Sequence, residues 1–126
     1  MAFFGENNVG AWLNFNATNS NAVRDSFNVS SITDNNTGTF TANYTTSFGN
    51  DFYCAVISGG HSSNSSVPRG FETIYNYQNQ STKFDFRNES GQEVDPQVCC
   101  LIVVADQWVK LFIYKMMVLL QLLHQY

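Results

Sequence analysis

The residues of this chain that could do chemistry are two histidines, three cysteines and ten carboxylates. His61 stands in the run Gly59-Gly60-His61-Ser62-Ser63, with hydroxyls on its C-terminal side. A Ser–His hydrolytic pair meets through the fold, with a carboxylate behind the imidazole, and adjacency in sequence does not supply that arrangement. His61, Ser62, Ser63 and Asn64 are therefore expected to form an exposed loop. Gly59-Gly60 is not followed by the Lys-Ser/Thr of a phosphate-binding loop. Cys99 and Cys100 with His61 or His124 would make a metal set only if both thiolates reached one ion, whereas adjacent residues of a strand point to opposite faces. Glu72, Asp85, Glu89, Glu93 and Asp95 would suit a glycosidase if two of them faced each other across a bond. Most sit in or beside turns, where solvated surface is the simpler reading. No catalytic residue, cofactor site or metal site is assigned, and the chain is expected not to be an enzyme.

The elements that must position these residues are β in character. The chain has 126 residues, room for one domain. Hydrophobic residues are 44%, which excludes a disordered chain, but charged residues are only 13%, about half the usual share. Asn, Ser and Thr carry the polarity instead, and their short side chains compete for backbone hydrogen bonds and disfavour helix. A net charge of -4 with scattered Lys and Arg excludes the clustered basic surface that nucleic acid requires. Met1-Ala2-Phe3-Phe4-Gly5-Glu6 lacks the basic and apolar regions of a secretory signal. The Asn-X-Ser/Thr triplets at Asn16, Asn28, Asn35, Asn43, Asn64, Asn79 and Asn88 are then expected products of composition, not glycosylation sites. Cys54, Cys99 and Cys100 are odd in number and lack framework spacing, and are read as reduced core thiols.

Period-two alternation predicts strands over residues 11–15, 23–32 and 39–46, the last two forming a hairpin about the Thr33-Asp34-Asn35-Asn36-Thr37-Gly38 turn. Residues 52–58 are mostly apolar, as for a strand buried on both faces, and residues 98–105 are a β-branched run suited to a central strand. Residues 71–77 and 83–87 flank a turn at Asn79 and Gln80, and 59–69 read as a loop. Of the aromatics Tyr44, Phe52, Tyr53, Phe71, Tyr75, Tyr77, Phe84 and Phe86, about half are expected in the core and the others at a subunit interface; exposed rings would instead stack on sugars. The expected fold is an antiparallel β-sandwich over residues 9–106, preceded by an arm, 1–8, and followed by an apolar tail, 107–126.

The tail reads as an amphipathic helix from residue 108 onward, with a final strand over residues 109–114 as the alternative. Gln107, Lys110, Tyr114, Gln121, His124 and Gln125 fall in one arc at 100° per residue, opposite Phe112, Ile113, Met116, Leu119, Leu120 and Leu123. Lys110 and Lys115 interrupt the run, so a membrane span is not expected. A broad apolar face needs a cover, and Trp108, Phe112, Ile113, Met116, Leu119, Leu120 and Leu123 are the candidate contacts for an oligomer or a neighbouring protein.

Ala11-Trp12-Leu13-Asn14-Phe15-Asn16, and then Arg24 through Thr41 with the run Asn28-Val29-Ser30-Ser31-Ile32-Thr33-Asp34, resemble a module of marine tailed-phage virion proteins. The likeness covers about residues 11–58 and extends to the strand at 98–106; the tail from Trp108 lies outside it. The resemblance implies a virion surface protein, made in the bacterial host cytoplasm: a tail-fibre or fibre-tip component for host attachment, trimeric, contacting other virion proteins and offering His61, Ser62, Ser63 and Asn64 to a host-surface glycan. Capsid decoration, as a cement or head-fibre protein, is the alternative placement. A secreted carbohydrate-binding β domain is the alternative from another class.

Overall fold

A computed structural model describes residues 9–60, 71–105 and 108–125. Its strands are β1 (Val9–Asn16), β2 (Ala22–Phe27), β3 (Val29–Asn36), β4 (Thr39–Tyr44), β5 (Cys54–Gly60), β6 (Glu72–Gln78), β7 (Ser81–Phe86) and β8 (Val98–Val104), followed by one helix, α1 (Trp108–Leu123). The strands form two four-stranded sheets, A in the order β2-β1-β8-β5 and B in the order β3-β4-β7-β6. Every pairing is antiparallel. The fold is the expected all-β sandwich with a C-terminal helix.

Alternation decides what lies between the sheets. Ala11, Leu13 and Phe15 of β1, Cys99, Leu101 and Val103 of β8, Phe40 and Ala42 of β4, and Phe84 and Phe86 of β7 are all buried. Phe15 meets Phe40 edge-on at 5.2 Å between ring centres, and Phe84 meets Phe86 at 5.8 Å, the offset geometry that aromatic quadrupoles favour. The buried hydroxyls of Tyr44 and Tyr53 both bond Thr82 Oγ1, and Tyr53 also donates to the carbonyls of Gln78 and Ser81. These bonds offset the desolvation that raises both phenol pKa values.

Two backbone positions fix the path. Gly38 closes the β3–β4 hairpin at φ 73°, and a Cβ there would sit 2.7 Å from Val94 N and 2.8 Å from Phe86 O, so only glycine fits. Asn28 adopts φ 56° between β2 and β3; its Nδ2 donates to the carbonyls of Gly10 and Thr46, and its Oδ1 accepts from Thr46 N.

That Asn28 corner corrects the single strand expected over residues 23–32. The chain breaks there and changes sheets, β2 pairing with β1 and β3 with β4. Asn is among the few residues that tolerate left-handed φ, and its polar side chain falls where alternation already demands a polar residue, so the break leaves no mark in the pattern. The expectation of burial on both faces for residues 52–58 is also corrected. β5 is an edge strand, Val56 is 59% exposed and Phe52 90% exposed. Tyr44, Tyr53, Phe84 and Phe86 are core, while Phe52, Phe71 and Tyr77 face outward.

Candidate assembly surface

The expected receptor-facing residues His61, Ser62, Ser63 and Asn64 lie outside the described residues. Four of the five carboxylates, Glu72, Asp85, Glu93 and Asp95, have structural partners. Asp85, read from sequence as solvated, is 3% exposed and takes a 2.9 Å bond from Arg87 Nε. It alternates outward from sheet B, but the chain after β7 returns over it and carries Glu93 to Arg87, 3.4 Å away. Asp95 accepts the Gly38 amide at 2.6 Å, and Glu72 accepts the Gly59 amide at 2.7 Å. Each carboxylate here holds a turn or a strand end in place.

The cysteines are free but are not all core thiols. Cys99 is buried, donates to Pro96 O at 3.4 Å, and burial pushes its pKa up to about 12, which removes its nucleophilicity at neutral pH. Cys100, one residue on, turns to the other face and is half-buried, and Cys54 on β5 is exposed. Strand alternation separates them. Among the described residues, no group of three His, Cys, Asp or Glu is placed to hold a metal ion.

The expected contact residues Ile113, Met116, Leu119, Leu120 and Leu123 lie on α1 and are 45 to 64% exposed. Trp108 and Phe112 belong to the same helix, their side chains outside the described residues. The apolar surface is wider than the expected face, because Tyr114, Met117, Val118 and Leu122 are exposed as well. The helix has no acidic side chain in its first turn and no basic one in its last, so charge does not support its ends. Sixteen residues make a marginal helix alone in water, and its stability must come from packing. Among the described residues, no helix is long and apolar enough to cross a membrane.

A second apolar surface went unrecognised in the sequence. Across sheet A the register aligns Phe27, Trp12, Ile102 and Val56, one from each strand, with their side chains on the outer face. Phe27 is 40%, Ile102 43% and Val104 47% exposed. The next row is more polar: Asp25, Asn14, Cys100 and Ser58. Sheet B presents Ser31, Thr33, Thr41 and Asn43 outward, with Asn43 Nδ2 donating to Ser31 Oγ at 3.1 Å and Thr33 Oγ1 at 3.0 Å. Lys83 there lies 5.5 Å from the Tyr75 ring centre. The available signal was the unbroken apolar run of β8, which implies a cover on each side.

At the end of the sandwich near Tyr77, an open depression of about 420 Å³ is lined by Asn50, Asp51, Gln78, Asn79 and Gln80. Its lining is polar, without the enclosed apolar wall of a small-molecule site. Comparison with protein-family models, curated proteins and solved structures finds no match to this chain.

Proposed function

We propose that this chain is a non-enzymatic structural module of a bacteriophage particle surface, a tail-fibre or fibre-tip component taking part in host attachment, and that α1 joins it to sister subunits or to a neighbouring virion protein. The observation that carries the assembly part is the exposed apolar surface of α1 on a domain whose carboxylates serve its own turns. Nine apolar side chains of α1, each more than a third exposed, leave on the order of 800 Å² in water, about what one partner gives to a stable interface. The phage setting rests on the resemblance over residues 11–58 and 98–106. A closed trimer would cover such surfaces symmetrically and shelter the edge strands.

Quantitative mass spectrometry of purified particles, with labelled-antibody electron microscopy, tests this reading. A small copy number at the tail is expected. Hundreds of copies on the shell would reassign the chain to capsid decoration, and absence from particles would overturn the virion reading. Truncation after Gln107 is expected to leave the sandwich folded, with unchanged cooperative unfolding, while assembly is lost. A truncated chain that cannot fold would refute α1 as a separable contact element.

A further inference from the structure

We infer that the outer face of sheet A is the seat of α1 from a second copy of this chain, laid along β8. This rests on the reading of α1 as an assembly element, though not on the phage setting. All four outward positions of β8 are apolar or thiol, Val98, Cys100, Ile102 and Val104, flanked in register by Trp12 and Val56. A strand apolar on both sides is the pattern of a strand covered on both sides. Sheet B covers one side of β8, and among the described residues Ile102 and Val104 on the other side stay 43% and 47% exposed. The polar outer face of sheet B shows that this domain does not place apolar residues outward by default.

The two exposed surfaces match in length, and the sandwich and the helix carry net charge of opposite sign. The seven residues of β8 extend about 23 Å at the strand rise, and the sixteen of α1 extend about 24 Å at the helical rise. Residues 9–105 carry eight acidic and four basic side chains, and α1 carries two lysines and no acid; on the outer face itself Asp25 is balanced by Arg24, whose Nη1 donates to Asn14 Oδ1 at 3.2 Å. Opposite charge of this kind favours the helix meeting the sandwich over a bundle of like-charged helices. Within one chain both surfaces stand open together, since Ile113 to Gln125 are exposed while Ile102 and Val104 are too. Exchange of helices between copies covers both surfaces at once and closes into a symmetric oligomer.

Sedimentation velocity of the full chain and two variants tests the seat. The natural protein is expected to be oligomeric, and Ile102→Glu and Leu119→Glu each to weaken association at least tenfold while keeping a folded-sheet circular dichroism spectrum. Mixing the two variants should restore a joint complex, because one supplies an intact helix and the other an intact face. Retained native association by Ile102→Glu would overturn the seat and leave assembly through α1 standing; a monomeric natural chain would overturn both.

A second measurement does not depend on the charged variants folding. Met116→Cys, treated with copper-phenanthroline as oxidant and mapped by mass spectrometry, should give an intermolecular disulfide from position 116 to Cys100 or Cys54. A disulfide joining position 116 of two copies would indicate a helix bundle and refute the seat. An intramolecular disulfide would refute the second copy as occupant.

Discussion

On sheet B the outward Asn43 bonds Ser31 and Thr33, and Thr41 accepts from Asn35, whereas on sheet A the outward side chains Phe27, Trp12, Ile102 and Val56 have no polar atom to offer except the indole N–H. Both sheets present the same kind of inward face, so burial between them does not explain the difference. A hydrogen-bonded hydroxyl and amide surface is at rest in water. An apolar one costs free energy until something covers it, in proportion to the area exposed. The contrast therefore separates a face at rest in water from one that the proposed assembly would cover.

The inner layer shared by both sheets sets the scale against which the outer faces are judged. Phe84→Ala should cost about 3–5 kcal/mol, because Phe84 is fully buried against Phe15, Phe40 and Phe86. Urea unfolding should register this loss whether or not the protein is assembled; a loss that vanishes on dilution would tie the core to the partner and break the comparison.

Cys99 and Cys100 give the next largest effect, since they sample the inside and outside of the same strand. The folded state keeps the Cys99 proton up to about pH 12, while an unfolded thiol releases it near its ordinary value of 9.0. Between those values the folded state binds more protons, so its stability is full below pH 9.0 and falls as pH rises. The slope from this group is at most about 1.4 kcal/mol per pH unit. Tyr44, its pKa also raised by burial, adds to the loss at higher pH. Denaturation midpoints from pH 7 upward should decline less steeply in Cys99→Ala and as steeply as natural in Cys100→Ala; equal slopes in all three would reject the buried thiol as the cause. In native protein a thiol reagent should modify Cys54 first and Cys99 only on unfolding.

The smallest effects are expected on the outer face of sheet B. Asn43→Ala removes three bonds of the Asn43 amide, to Ser31 O, Ser31 Oγ and Thr33 Oγ1, between partly exposed groups and should cost about 1 kcal/mol in thermal or chemical unfolding. Thr41→Lys, on the same face, should lie within about 0.5 kcal/mol of the natural protein and leave association unchanged. Loss of association in Thr41→Lys would mean that sheet B, too, meets a partner.

Much of this architecture is legible in the sequence where one face of a strand is wet. β1 and β4 alternate, and the Asn-Asn-Thr-Gly turn between β3 and β4 declares its positive φ through Gly38. The helix is legible from its 3.6-residue pattern, but its exposed apolar surface runs beyond the face that the pattern put opposite the polar arc, to Tyr114, Met117, Val118 and Leu122. Legibility ends where local pattern no longer distinguishes neighbours in space. Asn28 turns the chain from one sheet to the other without disturbing alternation. β5 and β8 have similar apolar runs, yet β8 is central and β5 an edge. The outer apolar row belongs to four strands at once, so no single segment reveals it.

The pairing of β1 with β8 brings together strands from opposite ends of the domain. Its consequence lies in the order of events during synthesis. The β3–β4 and β6–β7 hairpins are local and can form while the chain is still being made, but sheet A has no centre until residue 104 has emerged. The sticky row across sheet A therefore does not exist on a nascent chain. It is completed when β8 appears, and α1 is the next element the ribosome delivers, so the two surfaces that the proposed assembly joins come into being together.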